Sequence, residues 1–156
     1  MDQAFVDRIN AQTAYEFART EPPEGFPKLP DLPLGRYTNP AMWELEKSRL
    51  FRRTWMFAAH LSELPGPGSY RTLDVAGMPV VVIRGEDDVV RAFFNACRHR
   101  GAPVVRDECG TCDRMVCLYH SWSYDHKGDL VFVPDQRDFV GLNVEERGLV
   151  QMRCET

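Results

Sequence analysis

The apolar positions of the chain follow two different periods. Over residues 2–19, Phe5, Val6, Ile9, Tyr15 and Phe17 recur at loosely helical intervals, which predicts a helix. Prolines then fall at 22, 23, 27, 30 and 33. Their fixed φ and missing N–H exclude regular helix and central strand, so 21–33 reads as an extended arm, either a linker or a strap over a neighbouring subunit. Asn39-Pro40 offers a capping oxygen followed by proline at the first helical position. A second helix is predicted from there to about Arg53, burying Met42, Leu45, Leu50 and Phe51. Its cationic end at Lys47, Arg49, Arg52 and Arg53 complements the helix dipole.

Beyond residue 53 the period shortens to that of strands. Strands are predicted at 55–59 (closed by His60), 70–75, 79–84, 89–95, 130–133 and 149–154, with short extended pieces at 115–117 and 122–124. Turns fall at 65–68, 76–77, 86–88 and 125–129, the last placing His126 on the surface, and Gly110 serves another. Short strands at even spacing indicate an all-β antiparallel sandwich with N-terminal helices. The division is 1–38 for helix and proline-rich arm and 39–156 for the sandwich domain.

Charge and composition narrow the classes. A net charge of −4 gives no general attraction to nucleic acid or to an anionic membrane, and neither partner is expected. Sixteen of the nineteen cations are arginine, several near the motifs described next, so local basic patches for a redox partner are compatible with the overall balance. No signal peptide or membrane-spanning run is read from the sequence. Five cysteines, an odd number, speak against a secreted disulfide framework and for a reducing cytoplasm. Cys154 reads as a small hydrophobe in the last strand.

The chemistry sits in the middle of the chain. Cys97-Arg98-His99-Arg100-Gly101 is followed, after positions 100 to 116, by Cys117-Leu118-Tyr119-His120-Ser121-Trp122. Two thiolates and two imidazoles suit a mixed-ligand iron–sulfur centre or a zinc ion. In the zinc alternative, Cys109 or Cys112 could join Cys97 or Cys117 in a structural knuckle. In the iron alternative, replacing two thiolates by neutral imidazoles removes two negative charges from the cluster. Reduction then becomes easier than in an all-cysteine ferredoxin. Loop tips on a rigid sheet can aim such ligands, with Gly101 permitting close backbone approach.

Asn95-Ala96-Cys97-Arg98-His99-Arg100-Gly101-Ala102, taken with Cys117-Leu118-Tyr119-His120-Ser121-Trp122-Ser123-Tyr124, resembles the Rieske [2Fe-2S] domain of ring-hydroxylating oxygenase α subunits. The flanks agree at 55–60, at Glu63-Leu64-Pro65-Gly66-Pro67-Gly68-Ser69-Tyr70 and at Gly128-Asp129-Leu130. The resemblance runs from about Asn39 to the last residue. It implies metal ligands Cys97, His99, Cys117 and His120, the cysteines on an inner iron and the histidines on an outer one that forms the electron exit. Arg98 and Arg100 would tune the cluster and dock a partner carboxylate, and Trp122 would shield it. Tyr119 stands where high-potential relatives carry a disulfide cysteine, and Trp122 where they carry a serine donor. Fewer hydrogen bonds then imply a potential toward the low end of the class, although Tyr124 can still donate one.

The resemblance further implies a ferredoxin or reductase as electron donor, an oxygenase catalytic domain or subunit with mononuclear Fe(II) as acceptor, and an oligomer. That iron takes two histidines and a carboxylate, whereas His60 and His126 are the only histidines outside the motifs. No catalytic residue is therefore expected in this sequence, and the family's closing strand is expected to be missing, leaving a sheet edge open. A stand-alone Rieske ferredoxin and a zinc-stapled interaction module remain as alternatives.

Overall fold

The computed structural model describes residues 2–156, which fall into two units joined at Thr38 and Asn39. In the first, helix α1 (Gln3–Ala18) starts where the Asp2 carboxylate accepts the amide hydrogen of Ala4, and it matches the expected span. The prolines keep 21–33 out of regular structure. A four-residue helix, α2 (Gly35–Thr38), follows, which the apolar pattern did not reveal.

In the second unit Asn39 caps α3 (Pro40–Glu46) by accepting the amide hydrogen of Ala41 at 2.9 Å. The predicted run to Arg53 is broken: at Lys47–Phe51 the chain widens into a π turn. The predicted buried face is not buried within this chain. Leu45 and Leu50 are half exposed, and no α3 side chain reaches the core. Residues 55–59 are unpaired rather than a strand, because Cys109–Thr111 takes the outer side of the strand Ser69–Val75. His60 caps a 3-10 turn instead, accepting the Ser62 amide hydrogen while its own N–H reaches Glu63 at 2.8 Å.

Eight strands follow in two antiparallel sheets. β1 (Ser69–Val75), β2 (Met78–Arg84), β3 (Val90–Phe94), β4 (Cys109–Thr111) and β8 (Gln151–Met152) form one, in the order β4-β1-β2-β3-β8. β5 (Met115–Val116), β6 (Ser123–Tyr124) and β7 (Leu130–Phe132) form the other. Val81, Ile83, Phe93 and Tyr70 from the large sheet pack with Met115, Tyr124 and Leu130 from the small one and with Trp122 just before β6. On the opposite face Val80, Val82 and Ala92 pack with Leu64, and Cys154 lies against them just past β8. β2 is thus buried on both faces, which is why it reads as an unbroken apolar run rather than an alternating one.

Two further expectations change here. Gly110 lies inside β4 rather than in a turn. A Cβ there would come within 2.7 Å of the Tyr70 hydroxyl, so the ring fills the space a side chain would need. His126 does sit in a turn, but it is buried, with Nε2 2.9 Å from the Cys112 carbonyl. It ties the β6–β7 turn to the end of β4, across the two sheets.

Candidate metal centre

The two cysteine–histidine segments fold as the same turn. In the first, the Cys97 N–H donates to the Ala102 carbonyl and the Gly101 N–H returns to the Cys97 carbonyl, each at 2.8 Å. In the second, the Cys117 N–H donates to the Trp122 carbonyl at 2.9 Å and the Ser121 N–H returns to the Cys117 carbonyl at 2.8 Å. The fifth residue of each turn is left-handed, with φ of 73° at Gly101 and 58° at Ser121. Gly101 is therefore required by its own backbone angle, and not by close approach, since a Cβ there would meet nothing within 4 Å. The second turn sits at the tip of the β5–β6 hairpin.

The first turn is held from behind by Asn95. Its buried side-chain oxygen accepts the amide hydrogens of Val104 and Val105 at 2.9 and 3.0 Å, and its side-chain nitrogen donates to the Val105 carbonyl at 2.6 Å. The loop leaving β3 is thereby closed on itself before it reaches β4. Asn95 was visible only as part of a motif, and nothing in its spacing announced this job.

The four donors stand as two pairs. Cys97 and Cys117 are both buried in one core cluster, close enough for Cys117 to push the Cys97 thiol up. The rings of His99 and His120 meet edge-on, with centroids 4.7 Å apart. Among the described residues no three His, Cys, Asp or Glu side chains gather tightly enough to enclose a single ion. Cys109 and Cys112 lie beside Tyr70, and Cys109 is exposed.

Electrostatics follow from burial. It pushes the Cys97 thiol up, opposed by the hydrogen bond from Tyr124, and it pushes His99 down, helped by the charges of His120 and Arg100. A neutral His99 is the form that can donate a lone pair to a metal. Its Nδ1 is buried without any hydrogen-bond partner. An orphaned buried nitrogen is costly unless something binds it. That nitrogen, with two thiols on the neighbouring turn positions, fits a [2Fe-2S] cluster held by two sulfurs and two nitrogens.

The residues around the donors sort clearly. Trp122 is buried and lies flat on His99, its centroid 4.8 Å away and the planes 8° apart. Tyr119 is exposed and packs on His120 at 3.9 Å. Arg98 and Arg100 are exposed, and neither pairs with a carboxylate among the described residues. Tyr124 is buried, with its hydroxyl 3.3 Å from the Cys97 sulfur. Phe139, which no motif marks, reaches both His99 and Trp122 from the loop after β7. No helix among the described residues is long and apolar enough to cross a membrane.

Comparison with known proteins agrees with this geometry. The chain is 42% identical over 123 residues to the 2-aminobenzenesulfonate 2,3-dioxygenase subunit alpha of Alcaligenes sp, covering 77% of this chain and 31% of that one. It is 39% identical over 121 residues to the biphenyl 2,3-dioxygenase subunit alpha of Rhodococcus jostii (strain RHA1), covering 77% and 26%. It spans less than a third of the length of these relatives. The solved structure of the quaternary ammonium Rieske monooxygenase CntA with L-carnitine superposes with a TM-score of 0.75 at 32% identity, over 83% of this chain and 40% of that one. The family described as Rieske [2Fe-2S] domain matches residues 54–148. With paired cysteines and histidines on twin turns, and more than half its length matched, this chain belongs to the Rieske [2Fe-2S] domain family.

Proposed function

We propose that residues 39–156 form the electron-transfer domain of a ring-hydroxylating oxygenase. It relays single electrons from a ferredoxin or reductase toward a mononuclear iron in an oxygenase catalytic domain or subunit. The observation that carries this reading is the pair of matched turns presenting Cys97 with Cys117 and His99 with His120. The break between the two units at Thr38 and Asn39 supports the domain boundary. The alpha subunits among the relatives support the oxygenase assignment over a free carrier or a zinc module.

Cys97 and Cys117 would hold one iron and His99 and His120 the other. A [2Fe-2S] centre bound there takes up and gives up one electron at a time, at a potential raised by its two neutral ligands. The residues of this chain do the rest. Trp122 covers His99 and keeps water from that side. Tyr124 points a hydroxyl at the Cys97 sulfur. Arg98 and Arg100 leave two free cations beside His99, a surface suited to a partner's carboxylates and sensitive to salt. An oligomeric assembly and a cytoplasmic setting go with this proposal.

Anaerobic purification tests it. The chain should carry about two irons and two acid-labile sulfides, and reduction should give the EPR signal of a mixed-ligand cluster, with average g below the free-electron value. His99→Cys and His120→Cys should change that signal. A colourless protein carrying one zinc would refute the assignment.

A further inference from the structure

The two histidines are not equivalent, and the difference comes from a residue outside both motifs. After β7 the chain makes a 3-10 turn at Gln136–Asp138 and presents Phe139, whose N–H donates to the Gln136 carbonyl at 3.0 Å and whose carbonyl accepts the Leu142 N–H at 3.1 Å. Phe139, Leu142 and Val144 pack against the main core, whereas the next residue, Val140, is 99% exposed. The segment therefore turns one aromatic ring inward at a chosen point. That ring meets His99 edge-on at 5.8 Å and 81°, and meets Trp122 at 5.7 Å and 73°. Trp122 covers the flat face of His99. The aromatic rings against His120 are the exposed Tyr119, tilted at 36°, and His99.

An imidazole anchored at one nitrogen keeps a soft torsion, because the bond from Cβ to the ring has no sharp staggered wells. Packing must fix the ring plane. A flat neighbour sets the spacing and permits sliding, whereas an edge-on neighbour opposes rotation, and aromatic rings favour such edge-to-face contact. We infer that Phe139 is a positioning residue: together with Trp122 it forms a two-sided aromatic bracket that fixes the plane of the His99 imidazole, whereas His120 rests on the exposed Tyr119 and on His99 itself. This rests on the reading of His99 as a cluster ligand, and on the contacts above for everything else.

The test uses the full chain, loaded with cluster, as wild type, Phe139→Leu and Phe139→Tyr. Pulsed EPR of the reduced protein resolves the couplings of the two ligating nitrogens, which depend on ring orientation. Phe139→Leu keeps apolar bulk without the ring edge. It should shift and broaden the coupling of one nitrogen, leave the other in place, and move the reduction potential, with iron and sulfide content unchanged. Phe139→Tyr should restore the wild-type couplings. Unchanged couplings in Phe139→Leu, or an equal change at both nitrogens, would overturn the bracket. If Phe139→Leu does not hold two irons, Phe139→Met is measured against the same two outcomes. A wild type lacking the mixed-ligand signal would instead strike the functional assignment itself.

Discussion

The hydroxyl of Tyr124 stands 3.3 Å from the sulfur of Cys97 and accepts the amide hydrogen of Arg98 at 3.0 Å. Cys97 as a thiolate ligand has no hydrogen to give, so in that state the phenol is the donor. With its oxygen engaged by the Arg98 N–H, the phenol has its own hydrogen left for the sulfur. Burial, reinforced by Cys97, pushes the ionisation of Tyr124 upward, so it stays a donor at any ordinary pH.

Removing that donor has a calculable effect. A hydrogen bond to a sulfur that gains negative charge on reduction favours the reduced state. If the gain is about 1 kcal/mol, Tyr124→Phe should lower the one-electron potential by roughly 40 mV. Protein-film voltammetry on both proteins reads this directly, and an unchanged or raised potential would contradict the assigned direction.

Asn95 makes a different prediction, for stability rather than potential. Asn95→Ala leaves the N–H groups of Val104 and Val105 and the carbonyl of Val105 buried without partners. Such groups cost on the order of 1–3 kcal/mol each, so a loss of about 3 kcal/mol is expected in denaturant unfolding, with weaker cluster retention. Asn95→Asp keeps the acceptor for both amides and should lose less.

The twin turns predict opposite signs for two glycine exchanges. Ser121 holds φ of 58°, a conformation that strains an L-residue, so Ser121→Gly should raise stability by about 0.5–1 kcal/mol after the extra freedom of the unfolded chain is counted. Gly101→Ala imposes the same strain on the first turn and should cost about 1 kcal/mol or more. Thermal melts of the two variants side by side test both signs at once.

Asp87 and Arg91 form a two-pronged ion pair at the base of the β2–β3 turn, with contacts of 2.8 and 2.7 Å. The hydrogen bonds from Arg91 hold the Asp87 carboxyl well below the usual carboxylate range. A depressed folded value means stability that is complete above the unfolded pKa, about 4. It is lost as pH falls toward the folded value. The difference in melting temperature between wild type and Asp87→Asn should therefore be constant at neutral pH and shrink only on strong acidification. A difference that grew with acid would reverse the sign.

What could be read in advance follows a physical division. The four candidate donors stood out because a metal demands particular atoms, and Cys and His at fixed spacing are rare by accident. β2 and β3 were legible because Val80 to Ile83 and Phe93 sit in apolar runs bounded by strong turns, and β1 because Tyr70, Leu73 and Val75 are interleaved with polar residues between two turns. Residues 55–59 are also a short apolar run yet pair with nothing, since pairing depends on which edge is free, and β4 had taken the one beside β1. β4 itself is three exposed residues around a glycine, with no apolar signal at all. His126 looked like a surface histidine because a turn sequence does not say which other loop lies across it. Phe139 and Asn95 act through tertiary contacts, one on a ring and the other on a backbone ten residues away, and no local pattern encodes either.

The one-place offset of histidine between two otherwise equal turns gives the centre an inside and an outside. His99 faces a wall of rings. His120 stands beside the solvent-facing Tyr119. One fold of turn, used twice, thus leaves one imidazole sheltered beneath a tryptophan and the other beside an exposed phenol.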